Sequence, residues 1–338
     1  MILITSADQY IGYTITSHLA QHKSLRQEQL RILCENKQGC YGFLNAGVDV
    51  CQVDYSHPNL ISHALRGVDH IILAIGSDPD RVKHAAMICN LAAHSGVSSI
   101  ICISHIGCTA SSQRYLSLQE FSEIEQIVMN SSCQYTILRL DFVQQYFHLW
   151  SNYAEKHRAI ILPMAEDKEI CPIDIEDVCK VIEILVLDNE SHLCKPYLED
   201  KHDGQVYILT GPESMNGKQL VEKLAESTGY HQFKYLYSRP MDISYYLTGL
   251  GKDVLFDARL KHERYQIYHD TFDDKAYKTK AYAYPSDNQI QLFLDYFNWV
   301  QHTSGSIYVS HTSMLTKTSC QTIQEFFKRN ANSFKPRV

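Results

Sequence analysis

The chain has 338 residues, 45% of them hydrophobic and 20% charged, enough to bury a sizeable core in one large domain or two unequal lobes. A net charge of −7 excludes the basic surface of a general nucleic-acid binder. No basic leader precedes the first apolar residues, and no apolar run nears the ~20 residues that cross a bilayer, so neither a secretory signal nor a membrane span is expected.

Met1–Thr5 is a short β-branched run, followed by a polar turn and a helical pattern to about Gln21. Leu30–Cys34 and Val48–Val53 are further strands, the latter closed by Asp54. Asn59–Leu65 reads as a helix ended at Gly67, His70–Ile75 as a strand, and Asp80–Ser95 as a helix closed by Gly96. Ser98–Ser104 and Gln134–Arg139 are strands on either side of a helix at Leu118–Asn130. Strands alternating with helices imply parallel pairing through right-handed crossovers, and near-continuous apolar strands imply a sheet covered on both faces.

The second half is less regular. Helices are expected at Ile173–Leu187, at Gly217–Ser227 ended by Gly229, at Tyr245–Tyr268, at Asn288–His302 and at Gln321–Asn330, the last capped by Thr322 with Glu325 three residues on. Gln205–Leu209 is a strand, and charged, Pro-containing Lys195–Gly204 reads as a surface loop. The eleven cysteines are scattered, odd in number and without a CxxC, which reads as packing thiols in a reducing compartment. Neither they nor the 17 histidines show metal-ligand spacing, so no metal is expected.

In a strand–turn–helix nucleotide site, backbone N–H groups of the first turn meet a pyrophosphate, and glycines let the backbone approach. Here that turn is Thr5-Ser6-Ala7-Asp8-Gln9-Tyr10-Ile11-Gly12. Only Gly12, where the helix packs on the sheet, keeps its glycine. Ser6 and Gln9 hold the phosphate-facing positions, Gln9 would crowd a pyrophosphate, and Asp8 would set a negative charge beside it. A scaffold that binds no dinucleotide is the alternative reading. Glu35, after the second strand, favours a cofactor with a free ribose 2′-hydroxyl, though a solvated glutamate explains it equally.

In order along the chain, MILITSADQYIG, GVDVCQVDYSHPNLISHALRGVDHIILAIG, SSIICISHIG, SSCQYTILRL, ICPIDIEDVCKVIEILV, GQVYILTGPESMNGKQLVEKLAESTG and MLTKTSCQTIQEFFKRNANSF resemble the successive motifs of the NmrA-like family. That family is an atypical branch of the short-chain dehydrogenase/reductase superfamily. The likeness leaves out about 240–300. It implies an α/β fold, a Rossmann-type doubly wound parallel sheet with a smaller C-terminal α/β lobe. The NAD(P)-binding domain would take 1–150 and continue to about 240, and the lobe would draw on segments of 151–338. Matched by position, the resemblance places Ser6, Gln9, Tyr10, Ile11, Gly12 and Glu35 at the nucleotide, and Asp54 and Tyr55 near the adenine. It puts Ala74, Ile75, Gly76 and Ser77 along the ribose, and Ser104, His105 and Ile106 toward the nicotinamide. Asp54 and Ser104 also read as a turn residue and a capping hydroxyl.

Relatives in the superfamily use a Tyr whose proton transfer is assisted by a Lys four residues on, because an unaided phenol is a poor base at neutral pH. Here Tyr115 is followed by Gln119, and Phe121 stands at the cofactor where many members keep a Lys. Tyr197/Lys201 and Tyr230/Lys234 lie outside the strand–helix context. Ser104, His105 and Tyr115 remain as proton donors, with His105 the best by its ordinary pKa. The leading expectation is a non-catalytic regulator or nucleotide sensor acting through a protein partner such as a transcription factor. It would bind NAD in preference to NADP, weakly or not at all. It would touch neither nucleic acid nor membrane, and would work in the cytoplasm or nucleus. The alternatives are an NAD(P)H-dependent reductase of a quinone or other small organic substrate, and a ligand-free interaction module.

Overall fold

A computed structural model describes residues 1–22, 25–110, 114–188, 191, 193–252 and 284–336. β1 (Ile2–Ile4) leads into α1 (Tyr10–Ala20), β2 (Leu30–Cys34), α2 (Tyr41–Asn45) and β3 (Asp49–Gln52). α3 (Pro58–Ala64), β4 (His70–Leu73), α4 (Arg81–Ser95), β5 (Ser99–His105), α5 (Leu116–Met129) and β6 (Gln134–Leu140) continue the alternation. Then come α6 (Ser151–His157), β7 (Ala159–Leu162), β8 (Glu169–Ile170), α7 (Ile175–Val186), β9 (Gln205–Leu209), β10 (Met215–Asn216), α8 (Gly217–Thr228), β11 (Lys234–Tyr237) and α9 (Pro240–Gly249). α10 (Asp287–His302), α11 (His311–Thr316), α12 (Ile323–Arg329) and α13 (Ala331–Phe334) close the chain.

Seven strands form one parallel sheet in the order β3-β2-β1-β4-β5-β6-β9. β1 is central, with Ile4 opposite Ile32 on one side and Ile72 on the other. Alternation along each strand sends Ile2 and Ile4 to one face and Leu3 to the other. The first face is a core shared with α1, α7, Trp150, Phe293 and Phe327. The second is covered by α3, α4 and α5 through Ile61, Ile88 and Ile124. The apolar strands of the sequence are thus explained by a Rossmann-like sheet buried on both sides.

Helix ends follow their signals. Gly96 and Gly229 end α4 and α8 with φ of 76° and 72°, and Asn216/Gln219 and Thr322/Glu325 form capping boxes on α8 and α12. β7 was not legible because the reversal after α6 is made by Arg158 at φ 55°, a non-glycine residue that gives no punctuation. It pairs in parallel with β11, which was also missed. The helix expected at Tyr245–Tyr268 starts earlier, at Pro240, and residues 253–268 lie outside the described residues. The expected surface loop Lys195–Gly204 buries Lys195, Leu198 and His202. Its Lys195 ammonium donates to the Ile184 carbonyl and to Glu199, so pairing offsets the cost of burying the charge. Among the described residues no helix is long and apolar enough to cross a membrane.

Candidate functional site

Strand order reverses between β1 and β4, and in such sheets ligands sit beyond the carboxyl ends of the strands at that point. The first turn is built for close backbone approach. A Cβ on Gly12 would fall 2.4 Å from the Ser6 carbonyl oxygen and 2.6 Å from that of Thr5, so this position must be glycine. Ser6 takes the left-handed conformation, φ 48°, which a glycine would hold without strain. Its N–H donates to the Tyr55 hydroxyl at 2.8 Å. Gln9 precedes α1 without capping it, and its side chain lines the cleft. The N-terminus of α1 fits a dinucleotide phosphate, while the glycine-only position Gly12 lets α1 pack on the backbone of Thr5 and Ser6.

At the adenosine end the structure changes the expected roles. The Asp8 carboxylate does not stand loose beside the phosphate position. It accepts the backbone N–H groups of Glu35 at 3.1 Å and Asn36 at 2.9 Å, at the end of β2. Burial nevertheless pushes its pKa up, and nearby Asp78 adds to the rise. Glu35 is exposed and also pushed up, by partial burial and then by Asp78, Asp8 and Asp54. Asp54 is an exposed turn residue that accepts the N–H and hydroxyl of Ser56. Tyr55 offers no open platform for adenine, because it is buried and stacked on His84, which pairs with Asp78 at 2.5 Å.

Toward the other end a cavity of about 60 Å3 lies between the ends of β4, β5 and β6 and the face of α10. Ile11, Ala74, Gly76, Ser77, Ser104, His105 and Phe121 line it, together with Asp141, Phe142, Tyr146, Gln289 and Phe293. Ile75 points into the opposite core, and Tyr10 packs on Tyr146 at an adjoining pocket of about 380 Å3. Gln289 spans the cavity mouth, bonded to the Ser77 hydroxyl at 3.0 Å and to Tyr146.

Ser104 and His105 are committed to protein partners. The Ser104 hydroxyl donates to Glu125 at 2.5 Å, and Glu125 is itself held by Arg139 at 2.6 and 2.9 Å. His105 Nδ1 meets the Ile106 carbonyl at 2.9 Å, which assigns the proton to Nδ1 and leaves Nε2 as an acceptor. Burial pushes the imidazole down to about 4, so His105 is neutral at pH 7 and is not the proton donor its ordinary pKa promised. Tyr115 is buried with Cys108, Leu118 and Phe121 and does not line the cavity. At the lysine position, Phe121 lies under the buried Arg81 guanidinium, 5.2 Å from its ring centroid, while Arg81 holds Glu120 and the Gly76 carbonyl.

Among the lining residues that the sequence did not reveal, Asp141 and Gln289 bear hydrogen-bonding groups across the cavity. Asp141, at the end of β6, is a buried carboxylate in the cavity wall. It accepts from the Tyr296 hydroxyl at 2.6 Å, the Ser306 hydroxyl and the Phe142 N–H. Gln289 opens α10, in the stretch that the motif likeness left out. A lone acid ending an apolar strand was the one available signal for Asp141; Gln289 gave none.

Residues 10–146 match the NAD(P)H-binding family. The chain is 24% identical over 260 residues to an NAD(P)H azoreductase of Xenophilus azovorans, covering 76% of this chain and 84% of that one. It is 24% identical over 305 residues to quinone oxidoreductase 2 of Escherichia coli, covering 88% and 99%. The solved NADPH complex of the NADPH-dependent quinone oxidoreductase from Escherichia coli shares the fold, with a TM-score of 0.73, 19% identity and coverage of 98% and 99%. The Citrobacter sp. triphenylmethane reductase complexed with NADP(H) does so with a TM-score of 0.73, 15% identity and coverage of 97% and 99%. The expectation of a non-catalytic regulator, drawn from the missing Tyr–Lys pair, is corrected by these relatives. The two that align along most of the chain are named as an azoreductase and a quinone oxidoreductase.

Proposed function

We propose that this chain, whose motifs resemble those of the NmrA-like family and whose residues 10–146 match the NAD(P)H-binding family, is an NAD(P)H-dependent reductase of a quinone or a similar flat, conjugated organic acceptor. The observation that carries the reading is the cavity at the ends of β5 and β6. Its walls are largely apolar and aromatic, from Phe121, Phe142, Tyr146 and Phe293, and rings of this kind pack flat conjugated surfaces. Its two polar groups at the end of β5 present lone pairs. Ser104 Oγ and His105 Nε2 suit the amide N–H2 of a nicotinamide carboxamide, since their own hydrogens are engaged elsewhere. When bound, the dihydronicotinamide supplies a hydride, and the relatives' printed activities, on azo compounds and quinones, are of that kind.

On cofactor choice the proposal is NADH over NADPH. Asp8, Glu35, Asp54 and Asp78 lie within electrostatic reach of one another at the adenosine end, and a 2′-phosphate would add charge of the same sign. Lys37 is the cation of that turn, and one lysine leaves the rim net negative. This differs from the NADPH named in the Escherichia coli neighbour.

The test is steady-state oxidation of NADH and NADPH by the purified protein with a panel of quinones and azo dyes, beside calorimetric titration of both cofactors. Turnover with at least one acceptor, faster with NADH, is expected. Dinucleotide binding with no cofactor oxidation across the panel would reject the reductase reading.

A further inference from the structure

The Tyr–Lys pair is missing and His105 is neutral, so the reduced product needs its proton from another group. Asp141 lines the cavity, and its Oδ2 accepts the hydroxyl of Ser306. Ser306 in turn lines a second pocket, open and of about 600 Å3, with Ile106, Arg139, Thr210, Trp299 and Ser304. The Asp141–Ser306 contact therefore lies between the largely apolar cavity and a second, more open pocket. On its other oxygen Asp141 is fixed by the Tyr296 hydroxyl, and the edge of Tyr296 meets His105 with ring centroids 5.3 Å apart.

We propose that Asp141 is the proton donor of this reductase and that Ser306 recharges it from the open pocket. The inference rests on the reductase reading above. In the balanced step, the acceptor gains a hydride with its electron pair and so carries an added pair on oxygen or nitrogen. The Asp141 O–H bond breaks, its electrons stay on the carboxylate, and the proton goes to that heteroatom. The Ser306 hydroxyl proton then passes to Asp141 Oδ2 as Ser306 takes one from solvent. The net reaction consumes one NAD(P)H, one proton and one acceptor, and yields NAD(P)+ and the two-hydrogen reduced acceptor.

Burial pushes the Asp141 carboxyl up despite the hydroxyl and backbone donors that pull it back, which favours the protonated form a donor needs. The titratable groups packed around it are Cys171, raised to about 12, and Tyr296, raised well above its usual value, so both are neutral neighbours at pH 7. A buried acid serving only to tie β6 to α10 and the 303–309 segment would need no route to solvent. The pocket beyond Ser306 supplies one.

Two readouts test the proposal. The first uses infrared difference spectra of the cofactor-free protein against Asp141→Asn. A protonated carboxyl band that disappears in the variant is expected, with H/D exchange of that band slowed in Ser306→Ala. No such band at any pH where the protein is folded, or exchange equally fast in Ser306→Ala, would overturn it. The second compares turnover of a quinone, which needs a proton, with that of a cationic triarylmethane dye, which takes hydride at carbon and needs none. The quinone-to-dye rate ratio should fall about 100-fold in Asp141→Asn, together with the solvent isotope effect, and Ser306→Ala should lower it in the same direction. An unchanged ratio would overturn the proposal, since a purely structural role would slow both substrates alike. If Asp141→Asn fails to fold, Ser306→Ala carries both measurements. If the wild-type protein turns over no acceptor, the reductase reading fails and the infrared result alone decides the proton route.

Discussion

Asp8 and Glu35 are joined across the turn after β2, the carboxylate of one accepting the backbone N–H of the other at 3.1 Å and that of Asn36 at 2.9 Å. The two N–H groups that could meet a ligand oxygen at the end of β2 are therefore already engaged by an acid. Replacing Asp8 by Asn and Glu35 by Arg together should shift the NADPH-to-NADH affinity ratio toward NADPH by at least tenfold, about 1.4 kcal/mol. Calorimetric titration of both cofactors reads this, and an unchanged ratio would remove the electrostatic account of preference.

Gly12 and Ser6 should respond in opposite senses. Gly12→Ala forces a Cβ against two carbonyl oxygens and should cost about 3 kcal/mol, as overpacking against a rigid backbone does. Ser6→Gly relieves a left-handed residue and should gain about 1 kcal/mol. Urea midpoints compared with wild type check both, and a neutral Gly12→Ala would mean that the turn can open.

Restoring the family lysine should not restore a catalyst. In Phe121→Lys the new ammonium would replace the ring that lies under Arg81, inside the apolar cluster of Cys108, Leu118 and Leu292. A loss of about 3 kcal/mol is expected from an unpaired buried cation beside another. Thermal or urea unfolding measures it. A stable variant with raised quinone turnover would show that the site accepts the usual pair.

His105 makes stability depend on pH. The unfolded chain protonates this histidine as pH falls below about 6.5, while the folded protein resists until about 4. Its contribution, about 3 kcal/mol, is therefore fully present above pH 6.5, is lost as pH falls from 6.5 to 4, and changes no further below that. His105→Asn should flatten the stability difference between neutral pH and pH of about 4.5 relative to wild type. An unaltered slope would mean that the imidazole titrates normally.

The sheet was legible because its signals are local: apolar strands and glycine stops at Gly67, Gly96 and Gly229. β7 and β11 were not, because a non-glycine turn at Arg158 hides the start of β7, and in β11 Lys234, Leu236 and Tyr237 are exposed and Tyr235 only half-buried, so no buried face alternates with an exposed one. Ser104, His105 and Phe121 line one cavity, but their protonation and partners were not legible, since these are set by residues distant in sequence. Arg81 over Phe121 and Glu125 under Ser104 are invisible to spacing. The inward turn of Tyr55 and the reach of Asp8 to β2 are tertiary facts of the same kind.

The seventh strand, β9, and the tail helices that bury Phe327 and Phe334 against the same core as β1 have a consequence during synthesis. At a translation speed of roughly 5–20 residues per second, roughly 10–40 s separate the emergence of β6 from that of the residues that cover its face. The edge of β6 stays unpaired until β9 emerges, roughly 3–14 s later, and the apolar layer stays uncovered for the whole interval. Ribosome-bound intermediates stalled before residue 209 should therefore be the species most demanding of chaperones and most exposed to proteolysis.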